Sequence, residues 1–235
     1  MNKLIVVTGG TKGIGRSIIE KFVSHGFDVA TCSRNQQELE LLKSALKKLK
    51  STANIFIHRA DMSDKDQVKL FCEFVKKLNR PIDVLVNNAG YFLPGEIVTE
   101  HEGTLEQMIN ANVYSAYYTT RGLAPQMITQ KSGHIFNICS IASIKAYPNG
   151  GSYAISKFAL LGFSKCLREE LKNVGIRVTA VMAGATKTAS WEGTDIPDER
   201  FMKVKDVADT IYAAYALSER SVVEEIIIRP QLGDI

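Results

Sequence analysis

Seven short apolar runs, most of them rich in β-branched residues, are spaced along the chain: Leu4 to Val7, Val29 to Cys32, Ile55 to Ile57, Val84 to Val86, Ile135 to Ile138, Val178 to Met182 and Ile226 to Ile228. Each is bounded by polar residues or glycine, the signature of a buried strand. Between them apolar residues recur every three or four positions, as in Ile14, Ile18, Ile19, Phe22 and Val23 and again in Leu39, Leu42, Leu46 and Leu49, which predicts amphipathic helices. Strand and helix thus alternate almost throughout. A strand without a polar face must be covered on both sides, and successive parallel strands need a crossover. The alternation therefore predicts an α/β doubly wound fold, a parallel sheet with helices on both faces. Ligands of such sheets bind beyond the carboxyl ends of the strands, so the residues just after each run are the candidates for chemistry.

The 235 residues carry 45% hydrophobic and 23% charged side chains, enough for a substantial core. No linker, charge run or repeat divides them. One domain over residues 1–235 is expected, with a cofactor half at about 1–90 and a catalytic and substrate half at about 91–235. The net charge of +4 is compatible with a phosphate-bearing ligand. Lys43, Lys47, Lys48 and Lys50 recur on one predicted helix without interleaved aromatics, so no nucleic-acid partner is expected. Cys32, Cys72, Cys139 and Cys166 show no CxxC or Cys/His spacing, which argues against a zinc site and a disulfide scaffold and fits a reducing cytoplasm. The first apolar run is too short for a signal-peptide core, and none approaches the roughly 20 residues of a membrane span. A soluble, cytoplasmic protein without a metal or a membrane partner is expected.

Thr8-Gly9-Gly10-Thr11-Lys12-Gly13-Ile14-Gly15 follows the first run and opens the first predicted helix. Gly9 and Gly13 can take turn conformations closed to other residues, Gly15 permits close helix-to-strand approach, and the helix N-terminus favours a pyrophosphate. Gly9, Thr11, Lys12, Gly13, Ile14 and Gly15 are therefore candidate dinucleotide contacts. Glycine turns also serve hairpins and helix caps; the strand-to-helix setting selects the ligand reading. After the second run stand Ser33 and Arg34, where an acidic side chain would bind the ribose 2'-hydroxyl of NAD. No carboxylate is there, and Lys12 and Arg34 can instead close on a 2'-phosphate, so NADP is the expected cofactor. Asp61 suits either the adenine amino group or, with Ser63, the start of the helix near Asp64. In Asn87-Asn88-Ala89-Gly90, the residues Asn88, Ala89 and Gly90 would let backbone pass close to the adenosine ribose, or would simply cap a turn.

These segments, taken with Ser140 and Tyr153-Ala154-Ile155-Ser156-Lys157, resemble the short-chain dehydrogenase/reductase family in its single-domain branch, and the similarity covers essentially the whole chain. A serine thirteen positions before a YxxxK, joined to the glycine turn and NNAG, is the specific combination. The resemblance implies a seven-stranded Rossmann sheet in order 3-2-1-4-5-6-7, with Tyr153, Lys157 and Ser140 as catalytic residues. It also implies an asparagine that bends the preceding long helix and holds a proton-relay water. That residue maps best to Asn112, with Asn110 as the near competitor. Residue chemistry agrees with the resemblance. Tyr153 and Lys157 stand four apart at the start of a helical stretch and share one face. A phenol with a pKa of about 10 is a poor acid or base at neutral pH, but an adjacent ammonium and a positive nicotinamide favour the phenolate. Tyr153 then serves as proton donor or acceptor. Lys157 would also hold the nicotinamide ribose hydroxyls, and Ser140 would bond the substrate oxygen as it gains charge. Singly, the three residues read as packing, surface charge and a turn cap; their joint spacing is what argues for chemistry.

The chain departs from the family in two places. After the sixth run the family usually has Pro-Gly followed by Thr, whereas this chain has Ala183-Gly184-Ala185-Thr186-Lys187-Thr188. Gly184, Thr186 and Thr188 are the expected contacts to the nicotinamide end, with altered cofactor affinity or loop mobility from the missing proline. The loop Ala189 to Arg200 is also short, which implies an open substrate pocket; Trp191 within it suits either covering substrate or packing under the loop. The expected function is NADPH-dependent reduction of a ketone, an aldehyde or a 3-oxoacyl thioester, by a homodimer or homotetramer assembled through the helices at Thr104 to Thr129 and Tyr153 to Asn173. The rival class is a non-catalytic NADP(H) sensor, and a sugar epimerase would carry a C-terminal substrate domain absent here.

Overall fold

The computed structural model describes residues 1–188, 191 and 193–235. Seven strands form one all-parallel sheet: β1 (Leu4–Thr8), β2 (Asp28–Ser33), β3 (Ile55–Arg59), β4 (Val84–Asn87), β5 (Gly133–Ile138), β6 (Ile176–Ala183) and β7 (Glu225–Ile228), in the order β3-β2-β1-β4-β5-β6-β7. Every apolar run is a strand, and the strand order is the expected one.

The pleat explains why the runs show no polar alternation. Along β1, Ile5 and Val7 face one hydrophobic core while Leu4 and Val6 face the other. Val84 and Val86 of β4 are likewise separated from Leu85, and Phe136 of β5 from Ile135. Successive side chains point to opposite faces, so a sheet covered on both sides needs apolar residues at every position.

The first layer holds α1 (Gly13–Ser24), α2 (Gln36–Leu49) and α7 (Val204–Tyr215), which contribute Ile18, Phe22, Leu42, Leu46, Val207 and Ile211 to one core. The second holds α3 (Lys65–Lys76), α4 (Thr104–Ile109), α5 (Ser115–Gln130) and α6 (Gly151–Leu171), with Val68, Phe71, Leu123 and Leu167 in the other. Asn35 and Asp64 cap α2 and α3 by accepting from the first free backbone amides of each helix. The long helix expected over Thr104 to Thr129 is interrupted by a π-turn at Asn110–Tyr114, and α6 runs into a short 3-10 turn at Lys172–Val174.

The amino ends of the strands are tied by a buried ion pair. The Asp28 carboxylate accepts from Arg80 Nη1 at 2.6 Å, from the Asn54 backbone and amide at 2.7 and 2.9 Å, and from Asn2 at 2.9 Å. Burial pushes the acid up, but these donors outweigh it and hold Asp28 below its ordinary range. The opposite, carboxyl end of the sheet carries the cleft.

Candidate active site

A cleft of about 850 Å³ lies at the carboxyl ends of β1 to β6. Its lining includes every residue expected at the cofactor end, from Gly9 to Gly15 through Ser33, Arg34, Asp61, Asn88, Ala89 and Gly90 to Gly184, Thr186 and Thr188. Ser140, Tyr153 and Lys157 line it as well.

The glycine turn closes as its sequence demands. Gly13 has φ +55, a conformation that other residues adopt at a cost. At Gly15 a Cβ would stand 2.4 Å from the Gly9 carbonyl oxygen and from the Asn88 amide, so only glycine lets α1 start this close to β1 and β4. Asn88 is the brace: its Nδ2 donates to the Thr8 and Gly9 carbonyls at 3.0 and 2.9 Å, while Thr8 Oγ1 accepts from the Asn88 and Ala89 amides at 3.0 Å each. The asparagine segment therefore locks β4 to the glycine turn. Thr188 packs against the same turn, its Cγ2 3.3 Å from where a Gly13 Cβ would lie, so the β6 loop closes over the cleft from the other side. Thr186 is buried, and its hydroxyl donates to the Gly184 carbonyl at 2.9 Å. That bond closes the turn that lacks the family's proline.

Beyond β2, Ser33 and exposed Arg34 line the cleft beside Lys12. A carboxylate stands there after all, brought in from the first turn of α2. Glu38 takes Lys12 Nζ at 2.8 Å and the Thr11 hydroxyl at 3.1 Å. Lys12 is the leading cause that holds Glu38 below the usual carboxylate range. Asp61 accepts from the Ser63 amide and hydroxyl at 2.9 and 2.7 Å while remaining in the cleft wall. It is thus a local turn cap within reach of a ligand.

At the catalytic end Ser140 caps a 3-10 turn, its Oγ accepting from the Ala142 amide at 3.1 Å. With a lone pair so engaged, the hydroxyl hydrogen is free to point toward Tyr153. Tyr153 and Lys157 lie one turn apart on α6, with Lys157 Nζ 5.7 Å from the Tyr153 ring centre. Lys157 is buried and donates to the Ile138 carbonyl at 2.9 Å. Burial pushes Lys157 down to about 8 and pushes the Tyr153 phenol above its ordinary value, with Ser140 opposing the rise. The protein alone therefore keeps Tyr153 protonated, the state a proton donor needs. The expectation that the lysine favours the phenolate depends on a positive nicotinamide as well.

Asn112 sits in the π-turn and is buried, whereas Asn110 is exposed. Its Oδ1 accepts from the Tyr91 amide at 2.9 Å, and its Nδ2 donates to the Tyr91 carbonyl at 3.1 Å and to Ser156 Oγ at 2.9 Å. Asn112 does not belong to the cleft lining, although its neighbour Ala111 does. Its side chain braces the wall from behind.

Around Tyr153 the cleft contains residues that the motifs did not mark. Phe92 meets Tyr153 edge-on at 4.9 Å, and Tyr147, Lys145 and Asp234 complete the rim, with Asp234 held by Arg229 and by Lys145 at 3.7 Å. Phe92 stands two positions after NNAG and Glu38 three after the capping Asn35, so both had a local signal. Asp234 had none, being almost eighty residues beyond the YxxxK. Trp191 lines the cleft and packs on Phe201 at 5.1 Å. Its neighbours Ala189, Ser190 and Glu192 lie outside the described residues. Among the described residues no group of His, Cys, Asp and Glu is arranged to hold a metal, and no helix is long and apolar enough to cross a membrane.

Comparison with known proteins agrees with this geometry. The family model described as short chain dehydrogenase matches residues 3–197. Sepiapterin reductase of Chlorobaculum tepidum is 32% identical over 241 aligned positions, covering 100% of this chain and 99% of that protein. A metagenomic short-chain oxidoreductase in complex with NADP superposes with a TM-score of 0.84 at 29% identity, covering 97% of both chains. L-sorbose reductase from Gluconobacter frateurii, complexed with NADPH and L-sorbose, does so with a TM-score of 0.90 at 25% identity, covering 97% of this chain and 95% of that one. By sequence, fold and the placement of its motifs, this chain belongs to the short-chain dehydrogenase family of oxidoreductases.

Proposed function

We propose that the protein reduces a ketone or aldehyde with NADPH, and that Tyr153, Ser140 and Lys157 carry the reaction. The observation behind this reading is the convergence of these three side chains on the cleft that also holds the glycine turn. The residues present fit the dinucleotide. The close approach at Gly15 leaves a backbone cradle for a pyrophosphate, and Lys12, Thr11 and Arg34 are donors suited to a 2'-phosphate.

Bound NADPH supplies the hydride for the carbonyl carbon. Ser140 donates a hydrogen bond to the substrate oxygen and holds it beside the phenol, where developing charge is stabilised. Tyr153, kept protonated by its burial, delivers its Oη proton to that oxygen. The Lys157 ammonium, anchored on the Ile138 carbonyl, offsets the charge left on Tyr153 and offers donors to ribose hydroxyls. Asn112 acts as a positioning residue through Tyr91 and Ser156.

The substrate is a carbonyl compound small enough for a rim lined by Phe92, Tyr147 and Trp191. The relatives are named for sepiapterin and L-sorbose reduction, so a test panel should hold both with simple ketones, aldehydes and a 3-oxoacyl thioester. NADPH oxidation is followed across this panel, with Tyr153→Phe as control. Tyrosine-dependent turnover supports the reading; NADPH binding without turnover of any carbonyl favours the sensor.

The single domain of residues 1–235 acts as a homodimer or homotetramer in this reading, within the cytoplasm. Tyr117 on α5 packs on Phe163 of α6, and Tyr117, Ile155 and Phe158 are 37%, 41% and 47% exposed, an apolar face suited to a second copy. Light scattering after size exclusion tests the assembly, and a monomer at micromolar concentration would refute it.

A further inference from the structure

The cation that should receive a 2'-phosphate already has an anion. Glu38 accepts from Lys12 Nζ at 2.8 Å and from Thr11 Oγ1 at 3.1 Å, which leaves Thr11 Oγ1 to accept from the Ser33 hydroxyl at 3.3 Å. All four side chains line the cofactor end of the cleft, with Arg34 and Asn35 beside them. The backbone of Glu38 cannot drift away, because Asn35 Oδ1 accepts from the Gln37 and Glu38 amides at 2.9 and 3.2 Å and pins the first turn of α2. Its side chain is 29% exposed and can swing outward.

A carboxylate and a phosphate oxygen ask for the same partners. Both are anionic acceptors, and both gain from the helix N-terminus on which Glu38 sits. We propose that Glu38 is an internal stand-in for the cofactor's 2'-phosphate. It occupies Lys12 and Thr11 until the phosphate displaces it, and so weakens NADPH relative to NADH. Glu38 is then a specificity-determining residue that sets how strongly this protein discriminates between the two cofactors. The proposal rests on the reading of Lys12, Thr11, Ser33 and Arg34 as the 2'-phosphate site.

The test uses two fragments that differ only in the phosphate, adenosine 5'-monophosphate and adenosine 2',5'-bisphosphate. Calorimetry on the full chain gives the ratio of their dissociation constants, the increment contributed by the 2'-phosphate. Glu38→Gln keeps the shape of the side chain and removes its charge, and should raise that increment by about three- to thirtyfold at low salt, less at high salt. Glu38→Asp, which keeps the charge, should raise it by less than Glu38→Gln. Thermal melting of each variant guards against loss of the fold. A large wild-type increment that Glu38→Gln leaves unchanged or lowers overturns the role of Glu38 alone. An increment near one in the wild type and in both variants overturns the phosphate site itself.

Discussion

The Asn112 side-chain amide donates to the Ser156 hydroxyl at 2.9 Å, which ties the π-turn before α5 to the helix that carries Tyr153 and Lys157. Ser156 Oγ in turn donates to the Tyr153 carbonyl at 2.7 Å. Through Ser156 the π-turn residue thus contacts the turn of α6 that presents Tyr153, the proposed proton donor.

Replacing Asn112 with alanine leaves the Tyr91 backbone and Ser156 without their partner in a buried place. A loss of about 1 to 3 kcal/mol of stability is expected, together with a fall in kcat as Tyr153 loses its register. Urea unfolding and steady-state kinetics on the same preparation check both. Unchanged stability would contradict the bracing role.

Tyr153→Phe removes the proton and keeps the ring that meets Phe92. The variant should fold, bind NADPH and lose about a hundredfold to ten-thousandfold in turnover, the usual share of a general acid. Retention of a tenth of the activity would remove Tyr153 from the mechanism.

In the proposed function, cofactor choice rests on charge beyond β2. Changing Ser33 to Asp and Arg34 to Gln places an acceptor for a bare 2'-hydroxyl where a phosphate would be repelled. Loss of Arg34 alone should weaken NADPH by roughly ten- to a hundredfold, since a charge-assisted hydrogen bond contributes about 1.5 to 3 kcal/mol. Titration with both cofactors reads the result, and equal weakening of NADH would show that Arg34 is ordinary surface charge.

His134 gives the fold an acid limit. It is buried on β5, stacked on Phe136 at 3.9 Å and paired with Thr179 Oγ1 at 2.7 Å, and burial, with Arg177 adding to it, pushes its pKa down to about 2. A histidine that stays neutral when folded and titrates near 6.5 when unfolded contributes stability in full above pH 6.5. That stability is lost as pH falls below 6.5 toward 2, by about 1.4 kcal/mol per pH unit. His134→Phe should flatten the dependence of unfolding free energy on pH between 6.5 and 5 by about that slope. An identical slope in the variant would show that His134 protonates in the folded state.

The sequence by itself determined whatever depends on neighbours along the chain. Apolar runs such as Ile135 to Ile138 became strands because strands covered on both faces have no polar period, and Gly13 at φ +55 turned the chain into α1 through backbone sterics. Tyr153 and Lys157 met because four residues make one helical turn. Tertiary structure decided what depends on approach through space. Glu38 reaches Lys12 across twenty-six positions, so the site that has no acid at Ser33 or Arg34 gains one only when α2 packs beside the glycine turn. Asn112 is separated from Ser156 by forty-four positions, and only the packing of the π-turn against α6 makes it a brace rather than a group in the cleft wall. Asp234 reaches the cleft rim through Lys145 and Arg229, contacts with no period or spacing to announce them. Local sterics and hydrophobic period are written in the order of residues, whereas the charge that each functional group meets is fixed only when distant elements pack.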